Sequence, residues 1–355
     1  MKPHVTIRDV AAATGFSVNT VSRALNDKPD VSAETKRVIL ETARKLGYRP
    51  NRLARGLRSN KTQTIGVIVA DIANPFFGAV VKEIGETARQ EGWSIILAST
   101  DEDRVREREA IHVMLAERVD GLLITPCQKD RGNIEKLDSS GLPYVLLGRW
   151  FDDFPTDYVA PDEFQGGFAA TEHLIELGHD RIAMIDAPLY ISSARHRLAG
   201  YRQALLNHGI EPDESLITTR SLTVADGYRT AKSVLAIRPR PTAIFAYSDF
   251  VAFGVMKAVR EAGLRIPEDI AVVGFDDVEF SSCLEVPLTT IRSPTKRLGK
   301  EATRVLLEKI NGDGNARQEL KLTVKLIVRE STVKGVIATE DSEKGAGAGC
   351  RKRRN

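Results

Sequence analysis

A chain of 355 residues, of which 42% are hydrophobic, is long enough to form more than one domain and to bury sizeable cores. Its three cysteines, Cys127, Cys283 and Cys350, are widely spaced and form no Cys-x-x-Cys pair, which argues against a disulfide framework or a zinc finger. With a net charge of +3, no apolar run of membrane-spanning length and no signal-peptide core, the sequence indicates a cytoplasmic protein without a membrane partner.

The first part of the chain predicts a short helix that ends in a tight turn. Thr6 and Asp9 have the spacing of a capping box, and Val10 and Ala13 form an apolar stripe. Gly15 then breaks the helix, because glycine readily adopts the left-handed conformation in which helices end. A second helix is expected to begin at once.

This second helix has two chemically different faces. Ser17 is a natural N-cap, and Val21 and Leu25 lie four residues apart on an apolar face. Asn19 and Arg23, also four residues apart, lie on another face. Two helices joined by a tight turn are typical of DNA-binding domains in which the second helix enters the major groove. The alternative is that they form the corner of some other helical domain.

The outward face of the second helix suits base recognition. Short hydroxyl and amide side chains can hydrogen-bond to base edges, Arg23 can fork onto guanine, and Val18 can contact a thymine methyl group. Together with two residues further along the chain, the predicted DNA contacts are Thr6, Ser17, Val18, Asn19, Thr20, Arg23, Asn26, Asn51 and Leu57.

A third helix is predicted to close a small three-helix core. Ser32 is its N-cap, and Val38 or Ile39 lies on its apolar face with Ala43 and Leu46. The Gly-Tyr pair that follows ends the helix.

The positive charge of the chain is concentrated in this N-terminal part. Residues 1–61 contain 13 Lys and Arg against 5 Asp and Glu, a net charge of +8. The remaining residues contain 38 Lys and Arg against 43 Asp and Glu, a net charge of −5. Binding to nucleic-acid phosphates requires a basic footprint of this kind.

From Thr64 onward, short apolar runs alternate with amphipathic segments. Runs rich in Ile, Val and Leu that are followed by helices indicate buried parallel strands in a doubly wound α/β fold. No G-x-G-x-x-G or G-x-x-x-x-G-K-[ST] motif follows any run, so no nucleotide cofactor is expected. The predicted strands lie in TIGVIVA, SIILAST, GLLITP, YVLLG, RIAMIDA, AIFAYS and IAVVGF, and in the closing LKLTVKLIVREST.

Ligands of open α/β sheets bind beyond the carboxyl ends of the strands. Carboxylates, guanidinium groups and phenyl rings follow several predicted strands. Such a mixture suits a polyhydroxylated ligand, because its hydroxyl groups can bond to the charged groups and its C–H faces can stack on the rings. Each residue also has an ordinary structural explanation, since an Asp can cap a helix, a Phe can belong to the core and an Arg can lie on the surface. The strand-end residues are Asp71, Asn74, Phe76, Phe77, Arg149, Arg195, Arg197, Ser248, Asp249, Asp276 and Asp277.

Two other sets of polar residues predict no site. The charged run 101–109 is expected to be the solvated start and face of a helix. His173, His179, His196 and His208 lack the spacing of metal ligands, and no metal is predicted.

Several motifs resemble the lactose- and galactose-repressor (LacI/GalR) family of bacterial transcription regulators. They cover nearly the whole chain: DVA, TVSRALN, LGYRPN, TIGVIVADIANPFF, VDGLLI, RLAGY, VVGFDD and LTTIR. The resemblance implies an all-α helix-turn-helix headpiece (1–50), a hinge (51–61), and two doubly wound parallel α/β lobes of periplasmic-binding-protein type (62–335) that bind an effector and dimerise. The composition of residues 336–355 predicts a disordered tail without leucine heptads, so a homodimer is expected rather than a tetramer.

The resemblance also implies roles for individual residues. In the family the hinge forms a helix in the DNA-bound dimer, and a leucine matching Leu57 wedges into the minor groove. Gly56 should cost that helix roughly 0.5 to 1 kcal/mol relative to Ala. The position matching Leu222 is often a large aromatic in the family, whereas a leucine offers no ring for stacking. Family effector contacts match Phe76, Arg197, Ser248 and Asp276, and the full predicted set is Asp71, Phe76, Phe77, Arg149, Arg197, Leu222, Ser248, Asp249 and Asp276.

The sequence therefore predicts a transcription regulator, most simply a repressor, that binds a near-palindromic operator as a homodimer and responds to a sugar or sugar derivative. Relatives differ in whether the ligand releases or recruits them, so the sign of the response stays open. A periplasmic-type sugar receptor is the alternative, but it would need a signal peptide and no basic headpiece. An enzyme would need a Gly-x-Ser-x-Gly elbow, a metal cluster or a cofactor fingerprint, and the sequence has none.

Overall fold

The computed structural model of the protein describes residues 5–48, 61–313 and 316–333. A boundary between Gln63 and Thr64 divides the chain into two compact units. The predictions made for the hinge residues Asn51, Gly56 and Leu57, and for the tail, lie outside the described residues.

The first unit contains α1 (Ile7–Thr14), α2 (Val18–Leu25) and α3 (Ala33–Leu46), as the sequence predicts. Gly15 and Gly47 adopt left-handed conformations with φ of +71° and +70° and end α1 and α3. Val10, Val21 and Ile39 contribute one fully buried side chain from each helix to the core.

Two residues predicted for this core lie outside it. Ala13 is exposed, because the buried stripe of α1 passes through Val10 and Ala11. Leu46 is also exposed, because it occupies the last turn of α3, and Tyr48 packs against the core from beyond the helix end.

The second unit alternates strands and helices along its whole length. The elements from Thr64 to Pro161 are β1 (Thr64–Val69), α4 (Pro75–Gln90), β2 (Ser94–Ser99), α5 (Arg104–Ala116), β3 (Gly121–Ile124), α6 (Gly132–Ser139), β4 (Tyr144–Leu147) and β5 (Tyr158–Pro161). They are followed by α7 (Glu163–Glu176), β6 (Ile182–Asp186), α8 (Ser192–Asn207), β7 (Ile217–Thr219), α9 (Val224–Ala236), β8 (Ala243–Ala246), α10 (Asp249–Glu261), β9 (Ala271–Asp276) and β10 (Thr289–Arg292). The last elements are α11 (Thr295–Asn311), β11 (Glu319–Leu322) and β12 (Lys325–Ile327).

These strands form two six-stranded sheets, and each sheet is the centre of one lobe. The first sheet has the order β11-β5-β4-β3-β1-β2, and the second has the order β12-β10-β9-β8-β6-β7. Neighbouring strands are parallel, except that β12 runs antiparallel to β10. The predicted doubly wound fold is therefore confirmed, and strands such as β3, β4 and β8 are buried along their full length.

The end of the chain departs from the prediction. The segment LKLTVKLIVREST was expected to complete the second lobe, but β11 pairs with β5 in the first sheet and only β12 joins the second. Alternation of polar and apolar residues identifies a strand with one open face but does not select the sheet edge that it joins. The short strands β5, β7 and β10 were not predicted as strands, because runs of three or four residues give little periodicity.

No helix within the described ranges is long and apolar enough to cross a membrane.

Direct hydrogen bonds join the two lobes at the start of α8. The Ser192 backbone N–H of the second lobe donates to Oε1 of Gln128 in the first lobe at 2.7 Å. The Trp150 backbone N–H donates in turn to the Ser192 hydroxyl at 3.2 Å, and Nε2 of Gln128 donates to the Trp150 carbonyl at 2.6 Å. The lobes therefore meet through a buried polar contact.

Glycines allow helices of the second lobe to pack at very short range. A Cβ atom at Gly167 in α7 would lie 2.2 Å from the carbonyl oxygen of Arg197, and one at Gly200 in α8 would lie 2.2 Å from that of Phe164. Both contacts are to backbone atoms, which cannot move aside as a flexible side chain can. The α7–α8 contact thereby holds the backbone of Arg197 in place.

We expect Gly200→Ala to lower the free energy of unfolding by about 1 to 3 kcal/mol, because the added methyl group must push α7 and α8 apart. The matched control is Gly78→Ala in α4, where a Cβ atom would meet nothing within 4 Å. Alanine should be neutral or stabilising there, by up to about 1 kcal/mol. Urea denaturation of both variants measures the difference, and equal midpoints would contradict the close-packing argument.

Candidate DNA-binding surface and ligand cleft

The outward face of α2 is accessible in the first unit. Asn19 and Arg23 are exposed, and the Val18 side chain is 43% exposed. The Ser17 hydroxyl caps the helix by accepting a hydrogen bond from the Thr20 backbone N–H at 3.1 Å, and the two hydroxyls lie 2.9 Å apart. The face predicted to read DNA therefore points to solvent.

A carboxylate holds the guanidinium group on this face. Nε of Arg23 donates to Oδ2 of Asp30 at 2.6 Å, and this contact lowers the pKa of the Asp30 carboxyl group. Both side chains are about half exposed, so the pair contributes little to stability. Its main effect is to restrict the orientation of the Arg23 guanidinium group.

Two other predicted DNA contacts take part in local bonds. The hydroxyl and backbone N–H of Thr6 both donate to Oδ2 of Asp9, at 2.8 and 2.7 Å, at the start of α1. Nδ2 of Asn26 donates to the carbonyl oxygen of Ser22 at 2.7 Å at the end of α2. These residues flank the outward face of α2 rather than forming its centre.

A cleft of about 310 Å³ lies between the two lobes of the second unit. It is bordered by the carboxyl ends of the parallel strands, as the rule for open α/β sheets predicts. The first lobe contributes Asp71, Asn74, Phe76, Phe77, Asp101, Glu102, Thr125, Gly148 and Arg149. The second lobe contributes Glu163, Ser193, Arg197, Leu222, Thr223, Asp226, Tyr247, Ser248 and Asp276.

One predicted effector contact, Asp249, does not line the cleft. Its carboxylate is fully buried, where Oδ2 accepts from the backbone N–H of Val278 at 2.9 Å and from the Ser281 hydroxyl at 2.6 Å. Oδ1 accepts from the Thr290 hydroxyl at 2.5 Å. The prediction is wrong because Asp249 begins α10 and points into the lobe, whereas Ser248, its N-cap, borders the cleft.

Two further strand-end residues, Arg195 and Asp277, also lie away from the cleft. Nη2 of Arg195 donates to Asp152 at 2.9 Å. The Asp277 carboxylate accepts from Arg292 and Arg329, each at 2.6 Å. Both side chains therefore serve structural ion pairs.

The charged run 101–109 was expected to be solvated, but part of it is buried. Glu102 lines the cleft and pairs with Arg149. Glu107 is 1% exposed and accepts from Nδ2 of Asn133 at 2.9 Å. The reason is helical geometry, since one residue in every three or four of α5 must face the lobe even in a highly charged sequence.

Other cleft residues were also missed. Glu163 follows β5, a strand too short to be predicted, and Tyr247 was counted as part of an apolar run. Strand-end position would have found Tyr247, whereas no predicted strand preceded Glu163.

Arg149 forms a bidentate ion pair within the first lobe. Its Nη1 and Nη2 atoms donate to the two carboxylate oxygens of Glu102 at 3.0 and 2.5 Å. Nη1 also donates to the carbonyl oxygen of Pro126 at 3.1 Å. This fork-to-fork geometry is the strongest form of an Arg–carboxylate contact.

Arg197 has a corresponding position in the second lobe. Its Nε donates to Oε2 of Glu163 at 2.6 Å, and its Nη1 donates to the Tyr247 carbonyl. The guanidinium carbon lies 3.5 Å from the centre of the Phe275 ring, and Nη2 lies 3.9 Å from Oδ1 of Asp276. The Arg197 side chain is therefore buried, although it borders the cleft.

Asp276 combines burial with a strained backbone. It is 5% exposed and has φ of +115°, a conformation that residues with a Cβ atom rarely adopt. Burial raises the pKa of its carboxyl group well above the ordinary value. The nearest guanidinium nitrogen, Nη2 of Arg197, lies 3.9 Å from Oδ1 and offsets this effect of burial only in part. Strain and a perturbed carboxyl group at a cleft are features of functional sites.

Two family descriptions match the chain. Residues 62–330 match "Periplasmic binding proteins and sugar binding domain of LacI family", and residues 6–51 match "Bacterial regulatory proteins, lacI family". The HTH-type transcriptional repressor PurR of Photobacterium profundum is 33% identical over 328 residues, which is 92% of this chain and 98% of that protein.

Solved structures show the same similarity. A complex of the transcriptional regulator CelR with cellobiose is 33% identical, with a TM-score of 0.72 over 92% of this chain and 100% of that chain. The Lac repressor dimer bound to operator and the anti-inducer ONPF is 33% identical, with a TM-score of 0.83 over 93% of this chain and 99% of that chain.

The buried Asp249 predicts a specific pH dependence of stability. Burial raises the pKa of its carboxyl group to about 7, whereas an unfolded Asp titrates near its ordinary value of about 4. The folded state therefore binds this proton more tightly, and its contribution to stability falls as the pH rises from about 4 to about 7. Above pH 7 the contribution is constant.

We expect the stability of Asp249→Asn relative to wild type to increase over that same interval, since the amide does not titrate. The Thr290 hydroxyl can rotate to accept from the amide, so the variant keeps its hydrogen bonds. Urea denaturation between pH 4 and pH 8 measures the difference, and parallel pH profiles for the two proteins would refute the assignment.

Proposed function

Because the chain belongs to the LacI family of bacterial regulatory proteins, and is thus a DNA-binding transcriptional regulator, we propose that it is a repressor controlled by a sugar-like effector. The observation that carries this proposal is the presence, in one chain, of an exposed recognition face on α2 and a polar cleft between two lobes. The first supplies sequence readout, and the second supplies a ligand site.

The proposed DNA-bound state is a homodimer on a near-palindromic operator. The similar Lac repressor binds its operator as a dimer, and a twofold protein matches a twofold DNA site. In this proposal residues 1–50 form the headpiece, 51–61 the hinge, 62–335 the effector-binding and dimerisation domain, and 336–355 the tail. Leu57 of each chain would open the centre of the operator through the minor groove.

The proposed effector is a mono- or disaccharide or a sugar derivative. A volume of about 310 Å³ is at the lower end of the range for small-molecule sites, which favours a compact ligand. Phe76 offers a ring for stacking, whereas Leu222 in the second lobe offers none. The Tyr247 ring also lines the cleft, but it is 9% exposed and its centre lies 4.6 Å from the Arg197 guanidinium carbon, so a flat purine would lack an exposed aromatic partner opposite Phe76. CelR, a regulator of similar structure, is in complex with cellobiose.

Effector control is proposed to act through the lobes. An effector that contacts both lobes changes their relative orientation, and this orientation favours or disfavours the hinge conformation that binds DNA. We assign no catalytic role to the cleft carboxylates, since the relatives are named regulators or repressors. A DNA-binding regulator of this kind would act in the cytoplasm.

We expect Arg23→Ala to weaken binding to the specific operator by about 1 to 3 kcal/mol and to affect random DNA much less. The operator is first obtained by in vitro selection with the wild-type protein, and affinities are then measured by fluorescence anisotropy at fixed salt. Arg37→Ala is the control, because it removes one exposed positive charge from α3 of the same unit. Equal losses on operator and random DNA would show that Arg23 contacts only phosphate.

The effector test uses Asp276→Asn rather than Arg197→Ala. Removing Arg197 would leave Glu163 buried without a counter-charge, at a cost of about 3 to 5 kcal/mol, and would confuse binding with stability. Asparagine keeps the shape of Asp276 and tolerates its positive φ.

A thermal-shift screen of sugars and purines identifies a ligand, and calorimetry then compares wild type with Asp276→Asn. The amide replaces a hydrogen-bonding oxygen by a donor, and a mispaired sugar hydroxyl at this buried position costs about 1 to 3 kcal/mol. Sugar binding should therefore weaken by roughly five- to a hundredfold, with effector-free operator affinity unchanged. Unchanged sugar affinity, or tight binding of a purine by the wild type, would refute the proposed effector class.

A further inference from the structure

The lining of the cleft is strongly acidic. Six of its side chains are carboxylic acids, two are guanidinium groups, and no lysine or histidine is among the lining residues. The acids are Asp71, Asp101, Glu102, Glu163, Asp226 and Asp276, and the bases are Arg149 and Arg197. Counted formally, the lining carries an excess of four negative charges, although burial shifts Asp276 towards its neutral form.

Both guanidinium groups are already paired with carboxylates of the protein. Both terminal nitrogens of Arg149 are bonded to the Glu102 carboxylate, and Nη1 also reaches the Pro126 carbonyl. Nε and Nη1 of Arg197 are bonded to Glu163 and to the Tyr247 carbonyl, and Nη2 lies 3.9 Å from Oδ1 of Asp276, where a ligand hydroxyl can accept a hydrogen bond from it. Each positive charge is therefore neutralised by a carboxylate that belongs to the protein.

Helix N-termini are the other common anion sites, and at this cleft each of them already has an acceptor from the protein. Asn74 caps α4 by accepting from the Phe76 N–H at 3.0 Å, and Ser248 caps α10 by accepting from the Val251 N–H at 3.2 Å. At the start of α9, Thr223 and Asp226 form a capping box. The first N–H group of α8 donates to Gln128, as described for the contact between the lobes.

One of the lining carboxylates, that of Asp71, has no cationic partner in the described part of the chain. Asp71 is half-buried and accepts only a local hydrogen bond from the Ala73 N–H, at 2.8 Å, among the contacts of the described residues. No Arg or Lys within the described ranges pairs with it. An anionic group in the cleft would be repelled by this carboxylate, because no cation that the structure describes compensates its charge.

We propose that the effector is a sugar without an anionic group, and that the cleft discriminates against sugar phosphates and sugar acids. Hydroxyl groups can donate to the carboxylates that line the cleft, and an amino group in place of a hydroxyl would be attracted to them. A phosphate or carboxylate would lose its hydration without gaining an uncompensated positive charge, because each guanidinium group is paired with a carboxylate of the protein. This inference rests on the proposed function, since it specifies the ligand class of the same cleft.

The experiment compares matched sugars on the full-length protein by thermal shift and then by calorimetry. The sets are glucose, glucosamine, glucuronate and glucose 6-phosphate; ribose and ribose 5-phosphate; and cellobiose and cellobionate. Within whichever set binds, we expect the anionic member to bind at least tenfold more weakly than its neutral parent. An anionic member that binds as tightly as its parent, or more tightly, would overturn the inference and leave the sugar-effector proposal standing.

Failure of the proposed function would give a different result in the thermal-shift screen. If no member of any set raises the melting temperature and a nucleobase does, the sugar-effector proposal is overturned together with this inference. The two failures are therefore distinguished by the first screen.

Variants test whether the acidic lining causes the discrimination against anionic sugars. Glu102→Gln frees the Arg149 guanidinium group, and Asp71→Asn removes a negative charge from the cleft lining without disturbing a buried ion pair. In each variant, the ratio of the dissociation constant of the anionic sugar to that of its neutral parent should fall severalfold. The control is Glu91→Gln, an equal charge change at the exposed far end of α4, about 24 Å along that helix from the cleft, which should leave the ratio unchanged.

Asp71→Asn keeps the test decisive if Glu102→Gln does not fold. A ratio that stays at the wild-type value in Asp71→Asn, or that changes equally in Glu91→Gln, would show that the acidic lining does not set the selectivity. Adding salt should reduce the wild-type ratio, because the repulsion from half-exposed carboxylates is screened.

Discussion

A buried positive charge organises the second lobe. The side chain of Arg197 is only 5% exposed, so the protein must supply both a counter-charge and hydrogen-bond acceptors for it. Glu163 from the start of α7 and the Tyr247 carbonyl from the end of β8 meet this need, and the Phe275 ring covers one face of the group. A single side chain thus fixes the ends of several elements at the edge of the sheet where the cleft opens. The acidic character of the cleft follows partly from this requirement.

Packing supports the same arrangement from the backbone side. Gly167 lies against the carbonyl oxygen of Arg197, so α7 and α8 approach at a distance that no larger residue permits. The short distance brings Glu163, four residues before Gly167, within reach of the Arg197 side chain. Helix packing and electrostatics therefore require the same placement of α8, and a change in either would disturb the other.

The sequence could predict the residues whose roles are local or set by the strand order. Ser17 and Gly15 begin and end helices through bonds to neighbouring residues, and Phe76 and Arg197 lie where strand ends predict. The exceptions depend on contacts between distant segments. Ser248 and Asp249 are adjacent, yet only the first faces the cleft, and periodicity around a single helix start cannot make that distinction. Glu102 was likewise assigned to solvent because its partner Arg149 is 47 residues away in the sequence.

The position of Ser192 on α8 gives this helix a mechanical role. Ser192 touches the first lobe, and Arg197, five residues later, reaches the cleft, so about 7.5 Å of continuous helix joins the two points. An α-helix is stiff over so short a distance. A displacement of Arg197 along the helix axis would therefore also displace Ser192 relative to Gln128 and Trp150. A ligand that moves Arg197 would in this way change the contact between the two lobes.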